Sequence, residues 1–312
     1  MTTDLAAKLE PYLSGVLGAP VRITSTGRIA MGQSRAMYRV RLESDGVARG
    51  VIVRVEQWGL LGSDSVDEVR VMRALHAAGY PVAKILAYEP TTELLGQPFF
   101  VMEEVAGTSV HAPQTIDTYI RTLQRLHALD WRAAGVDFFP VPAAPRDSAL
   151  MQVEHWYRVY QESMVGEPSP LLEEAVEWLR LNAPETAKVT LVHGDPGPGN
   201  YLHLNGEVTA VVDWEFTHLG DPENDWAYLI AMRGAGVMAE EAWVAHLRTF
   251  GVHLEPERLR YWKAINFLKG AAIDQTALKL YIEGTNPAPN MLAIGTGVHL
   301  SALKRLAQTV LT

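Results

Sequence analysis

The segment His193-Gly194-Asp195-Pro196-Gly197-Pro198-Gly199-Asn200, followed closely by Val211-Val212-Asp213-Trp214-Glu215, places carboxylates and an amide in one short stretch of chain. Between the two segments lies Asn205-Gly206, with apolar Tyr201, Leu202 and Leu204 before it and Val208, Val211 and Val212 after it. Asn-Gly between such residues is a strong hairpin signal, because both central positions of the favoured tight turn need positive φ. Folding the chain back there sets Asn200 opposite Val211 and close to Asp213, with Asp195 in the Gly/Pro loop just before. Amide and carboxylate oxygens are hard donors that suit Mg²⁺, an ion that keeps several waters and takes one or two protein ligands plus substrate phosphates. With Asn200 and Asp213 as those ligands, Asp195 is left for a different task.

In the kinase arrangement one Asp accepts the proton of the attacking hydroxyl, an Asn five residues later binds metal, and a second Asp beyond a hairpin carries metal between the phosphates. Asp195, Asn200 and Asp213 have that order and spacing. The run HGDPGPGN followed by VVDWE resembles the aminoglycoside phosphotransferase and choline kinase-like family, where His-Gly-Asp stands in place of the His-Arg-Asp of protein kinases. The resemblance implies an α+β, two-lobed protein kinase-like fold: an N-terminal antiparallel sheet lobe over residues 1–104 and a mostly helical lobe over 105–312. It also implies a Mg²⁺-dependent transfer of the γ-phosphoryl group of ATP or GTP to a small-molecule hydroxyl, with Asp195 as base. His193 is then expected to orient the loop through a side-chain hydrogen bond, and Asp225 to bond the loop's backbone from a helix start. Asp221 and Glu223 stay outside the catalytic set, and Glu215 is open between a further metal ligand and a solvated carboxylate.

The same resemblance assigns the nucleotide to the first lobe. Gly32 and Ser34, in Met31-Gly32-Gln33-Ser34, lie where the family has its phosphate-covering loop. Arg54 stands where the family strand usually carries a Lys toward the phosphates, and Glu68 where a helix Glu pairs with it. A guanidinium is a rigid fork rather than a point charge, so phosphate binding is retained with altered geometry. Glu68 has a second reading as the acid of a capping box with Ser65. The connecting segment implies adenine recognition by backbone groups near Glu103 and Val105, with Met102 packed behind the base.

These residues require a particular set of elements to hold them. A helical period runs through Leu5, Leu9, Leu13, Val16 and Leu17, with Pro11 predicting a kink or a late start. The alternating segments Tyr38-Val40-Leu42 and Val51-Val53-Val55, joined across Asp45-Gly46, predict an antiparallel hairpin. Residues 65–78 predict a helix that starts at Ser65 and stops before Gly79 and Pro81. Pro98 to Met102 predicts a buried strand. From Val105 onward helical periods dominate, over residues 116–127, 171–181, 240–250, 259–277 and 298–311, interrupted by a loop at 139–145 and the Asn205-Gly206 hairpin.

Composition sets the remaining bounds. A chain of 312 residues with 48% hydrophobic content can bury a sizeable core and is expected to form two lobes. Cysteine is absent, which removes thiolate chemistry and suits a reducing compartment. The start of the chain has no basic, apolar leader pattern, so a cytoplasmic location is expected. A net charge of −9 argues against general affinity for nucleic acid or an anionic membrane. The acceptor remains open among antibiotics, amino alcohols, sugars and hydroxyacyl thioesters. Aromatic residues over 153–160 and 261–274 are candidate walls for it, although helical aromatic clusters more often form core. A catalytically silent nucleotide-binding scaffold and a metal-dependent hydrolase using His193, Asp195, His203 and Asp213 are the competing readings.

Overall fold

The computed structural model describes residues 2–29, 35–56 and 65–311. The chain opens with helix α1 (Thr2–Leu17), which begins upstream of the expected apolar stripe and continues through Pro11, so no late start occurs. A five-stranded antiparallel sheet follows, built from β1 (Val21–Ile29), β2 (Arg35–Ser44), β3 (Val47–Glu56), β4 (Ile85–Glu89) and β5 (Phe99–Glu103) in the order β1-β2-β3-β5-β4. The β2–β3 hairpin turns at Asp45 and Gly46, both at positive φ (51° and 71°). Period-two alternation divides the central strands between two faces. Val51, Val53 and Val55 of β3, with Val40, Leu42, Phe99 and Val101, form a core with Leu9 and Leu13 of α1. Ile52 and Arg54 of β3 point to the opposite face, as do Phe100 and Met102 of β5. Helix α2 (Ser65–Ala77) buries Val69, Met72 and Leu75.

The rest of the chain is mainly helical. It comprises α3 (Ile116–Ala128), α4 (Asp147–Ser163), α5 (Pro170–Leu181), α6 (Glu223–Tyr228), α7 (Glu240–Thr249), α8 (Pro256–Ile282), α9 (Pro289–Ala293) and α10 (His299–Leu311). Short strands β6 (Thr190–Val192) and β9 (His218–Gly220) pair antiparallel, and β7 (Tyr201–Leu204) with β8 (Glu207–Val211) makes the hairpin around Asn205-Gly206 (φ 53° and 88°). Helix α8 packs against α4, α5, α6 and α10, and therefore buries residues on nearly every side.

Contacts divide the described residues into two compact units, one of 2–56, 65–108 and 202–215, the other of 109–201 and 216–311. A single boundary after Glu104 was expected; instead the β7–β8 hairpin counts with the sheet unit. The Val211 N–H donates to the Pro81 carbonyl (2.7 Å), and the backbones of Thr108 and His203 exchange two bonds of 3.0 Å. Among the described residues, no helix is long and apolar enough to cross a membrane.

Candidate active site

Within the sheet unit the chemistry gathers around Arg54. Its Nη1 donates to Glu68 Oε1 (2.6 Å), its Nη2 donates to Asp213 Oδ1 (3.0 Å), and Glu215 Oε2 lies 3.7 Å away. The Arg54 and Glu68 side chains are only 8% and 1% exposed, whereas Asp213 is 31% exposed. Burial alone would lower the guanidinium's pKa, but Glu68, Asp213 and Glu215 together hold it above its ordinary value. Arg54 Nε is buried with no hydrogen-bond partner among the described residues. Glu215 is buried beside Arg54, which rules out the solvated alternative for it.

The local chain explains how Asp213 reaches this position. Asp213 has φ 70°, a left-handed conformation that is uncommon outside glycine and for which Asp is one of the more tolerant residues. Trp214 anchors the turn: its indole N–H donates to the Val211 carbonyl (3.0 Å), and its ring meets Tyr80 edge-on at 5.8 Å. Asp213 Oδ1 is committed to Arg54.

At the end of β5, Met102 is buried and Glu103 is exposed. The Glu103 N–H donates to the Lys84 carbonyl (2.9 Å). Gly32 and Ser34 lie outside the described residues.

In the helical unit, β6 delivers the chain into the loop 193–200, and one buried carboxylate organises it. Asp225, at the start of α6, accepts from the His193 N–H (2.9 Å) and the Gly194 N–H (2.8 Å), and lies 2.8 Å from His127 Nε2. Burial would raise the Asp225 pKa, but the His127 bond and these further interactions keep it below the usual carboxylate value. His193 Nδ1 accepts from the Asp195 N–H (3.1 Å), and the Gly197 N–H donates to Tyr119 Oη (2.9 Å). Lys269 of α8 donates to the Gly194 carbonyl (2.7 Å). Asp221 and Glu223 pair instead with Arg258, each at 2.7 Å.

Asp195 is 5% exposed at its side chain and engages Arg233 bidentately, through Nε to Oδ1 (2.9 Å) and Nη2 to Oδ2 (2.5 Å). Asn200 Nδ2 donates to the Asp195 carbonyl (2.8 Å) and to Asp195 Oδ2 (2.7 Å). Both bonds use the amide nitrogen. Burial pushes the Asp195 pKa up, but Arg233, Lys269 and the Tyr228 phenol hold it below the ordinary value. The carboxylate therefore stays ionised despite its burial.

Thus Arg54, Glu68 and Asp213 come together in one unit, with Glu215 added, and Asp195 and Asn200 come together in the other. Arg233 was not legible in the sequence: it ends a π-helical turn (Leu229–Arg233) and meets Asp195 across 38 positions. The aromatic candidates for an acceptor wall are mostly core, since Trp156, Tyr160, Tyr261 and Trp262 are all at most 5% exposed.

The family described as "Phosphotransferase enzyme family" matches residues 26–262 of this chain. Mouse acyl-CoA dehydrogenase family member 10 is 32% identical over 241 residues, covering 70% of this chain and 21% of its own length. Mouse acyl-CoA dehydrogenase family member 11 is 28% identical over 318 residues, covering 91% of this chain and 40% of its own. This chain therefore spans about a fifth to two fifths of the length of those relatives. A thermostable mutant of aminoglycoside phosphotransferase APH(4)-Ia, solved as a ternary complex with AMP-PNP and hygromycin B, superposes with a TM-score of 0.70 at 19% identity, covering 98% of both chains. That likeness shows the fold expected from the sequence, the kinase-like arrangement of an antiparallel N-terminal sheet followed by a helical region.

Proposed function

This chain belongs to the phosphotransferase enzyme family, and we propose that it transfers the γ-phosphoryl group of ATP or GTP to a hydroxyl of a small molecule, with Asp195 as the base. The observation that carries the reading is the state of Asp195: a buried carboxylate kept ionised, in a loop whose backbone Asp225 clamps on two N–H groups. A carboxylate so held can accept a hydrogen bond from an incoming hydroxyl and take its proton as the oxygen attacks phosphorus.

The residues present fit a nucleotide and Mg²⁺. Arg54 Nε, a buried donor without a partner among the described residues, suits a phosphate oxygen. The Asn200 amide in one unit and the part-exposed Asp213 carboxylate in the other carry hard oxygens of the kind Mg²⁺ takes. Bound there, the ion would neutralise charge on the phosphate oxygens. Arg54 then binds phosphate while Glu68 fixes its fork, and Asn200 additionally orients the base through Asp195 Oδ2.

For the acceptor we infer a hydroxyacyl thioester. Support comes from relatives named as acyl-CoA dehydrogenase family members, which share this stretch as part of a much longer chain. The net charge of −9 would favour a polycationic antibiotic only weakly, and the helical segment 153–160 is not strongly acidic.

The test is a transfer assay with labelled ATP and GTP, with and without Mg²⁺, against hydroxyacyl thioesters, free hydroxy acids, amino alcohols and aminoglycosides. Label on the thioester's hydroxyl, absent with Asp195→Asn, is the expected result. Label on an amino alcohol alone would overturn the acceptor and leave the reaction class. Nucleotide binding with no transfer to any acceptor would favour the silent scaffold.

A further inference from the structure

Lys269, in the middle of α8, keeps its ammonium almost wholly out of water. The residue is 3% exposed, and its Nζ donates to the Gly194 carbonyl (2.7 Å). Three rings of the helical unit stand around that ammonium: Phe216 with its centroid 3.7 Å away, Tyr228 at 4.9 Å and Trp156 at 5.3 Å. The rings also brace one another. Trp156 meets Phe216 edge-on at 5.7 Å, and its indole N–H donates to Gln152 Oε1 (3.2 Å), so toward Lys269 it acts through its π-system.

This box adjoins the loop 193–200 directly. Gly194 has φ 87°, and a Cβ there would stand 2.4 Å from the Phe216 carbonyl oxygen and 2.8 Å from Phe216 Cβ, so the loop lies flat against one wall. Tyr228, a second wall, gives its phenol to the Asp195 carboxylate, on which Lys269 and Arg233 also act. On α4, His155 stands edge-on to Trp156 at 4.7 Å. Its pKa is lowered by desolvation and then by Lys269 and Arg158, against a smaller opposing pull from Glu162. Cations thus gather beside the box although the chain as a whole has a net charge of −9.

Aromatic faces gathered around an ammonium are the general means by which proteins bind alkylammonium ligands. Here the chain supplies the ammonium itself. We propose that Lys269 is a specificity-determining residue: as a resident cation it fills the ring box beside the loop 193–200 and excludes cationic acceptors, leaving Asp195 to hydroxyls of uncharged or anionic molecules. This role presupposes the phosphotransferase reading, whereas the filling of the box does not. An amino alcohol or aminoglycoside that brought a hydroxyl to Asp195 would carry its own cation to a place where the ring faces are taken and Lys269 repels it. Selection by such a built-in repulsion discriminates acceptors without any added contact to the right one. A hydroxyacyl thioester, whose acyl group carries no ammonium, is among the acceptors so admitted.

Emptying the box tests the proposal without turnover. Butylammonium, with 1-butanol as its uncharged counterpart, is titrated by calorimetry into the wild type, Lys269→Ala and Lys269→Met, with folding checked by thermal melts. Lys269→Ala should bind butylammonium about tenfold more tightly than the wild type does, and about tenfold more tightly than it binds 1-butanol, on the scale of a desolvated cation–π contact. Lys269→Met refills the box with an uncharged chain and should show no such gain. No gain in Lys269→Ala, or an equal gain for 1-butanol, would overturn the resident cation, the latter by showing a merely apolar hole. Lys269→Met also carries a second measurement, which stands if Lys269→Ala does not fold. It should raise kcat/KM for an amino alcohol relative to the diol of the same length by about tenfold, as for removal of a repelling charge, or raise the ratio of affinities where no transfer occurs. Loss of the bond to Gly194 touches both acceptors alike and drops out of that ratio. An unchanged ratio would overturn the exclusion even in a protein that transfers phosphate. A butylammonium gain in a protein that transfers phosphate to no acceptor would keep the filled box and overturn the phosphotransferase reading.

Discussion

Arg54 and Arg233 each hold a carboxylate proposed for catalysis, but their settings differ in burial and in charge balance. Arg54 is 8% exposed and faces Glu68, Asp213 and Glu215, so its cluster carries an excess of negative charge. Arg233 is 35% exposed and engages both oxygens of Asp195, a pair whose own two charges cancel. A cluster with surplus negative charge in a low-dielectric place attracts a cation, whereas a neutral pair can meet a neutral hydroxyl. The contrast separates two proposed tasks: phosphate binding at Arg54 and proton acceptance at Asp195, with metal ligands proposed beside each, Asp213 and Asn200.

The largest expected effect breaks the neutral pair. Asp195→Asn should lower kcat by roughly two or more orders of magnitude while nucleotide affinity, measured by calorimetry, stays near the wild-type value. Near-normal turnover would remove Asp195 from the chemistry and the contrast with it.

Next comes the charged cluster. Arg54→Ala leaves Glu68, 1% exposed, without its guanidinium, and breaking such a buried pair costs about 3–5 kcal/mol. Chemical denaturation should report that loss, and nucleotide binding should weaken at temperatures where the variant stays folded. Glu68→Gln should act in the same direction more mildly, because Asp213 and Glu215 still hold the arginine. An Arg54→Ala protein with unchanged nucleotide affinity would assign Arg54 to the architecture alone.

Asp213→Ala sharpens the comparison further. Placing Ala at φ 70° costs some stability, and in the protein that remains folded the Mg²⁺-dependent part of nucleotide affinity should disappear. Titration of the variant with and without Mg²⁺ measures this directly, and a full Mg²⁺ dependence would move the ion to other ligands.

The smallest effects concern pH and also separate by residue. Burial pushes His218 down to about 4; its unfolded value is 6.5, so the unfolded chain binds more protons between those values. Its contribution to stability is present above pH 6.5 and is lost as pH falls toward 4. Burial pushes Asp274 up to about 7 from 3.8, and its contribution runs the other way, present below pH 3.8 and lost as pH rises through 7. Asp274→Asn should therefore raise Tm at pH 8 and leave it nearly unchanged at pH 3.5. Equal shifts at both values would mean that the substitution acts through packing.

Much of this was legible because the signals are local. Asp45-Gly46 and Asn205-Gly206 turn where their left-handed preference predicts, α2 runs over Ser65–Ala77 as its punctuation predicts, and the longer helices follow their apolar periods. Three-residue strands such as β6 and β9 are too short to show a period, and β1, partly exposed along its length, carries only a weak alternation. The side-chain pairings were least accessible. Arg54 meets Asp213 across 159 positions, and Arg233 meets Asp195 across 38 from a turn with no regular helical period. Spacing along a chain does not encode which distant groups share a buried place.

Lys269 offers a way to watch the loop 193–200 itself. Its ammonium donates to the Gly194 carbonyl and lies among the rings of Phe216, Tyr228 and Trp156, at 3.7, 4.9 and 5.3 Å. An amine enclosed in this way is shielded from acylating reagents while the loop is closed and becomes reactive only when Gly194 lifts away. The rate at which Lys269 is acylated, followed by mass spectrometry, is thus a clock for opening of the segment that carries Asp195.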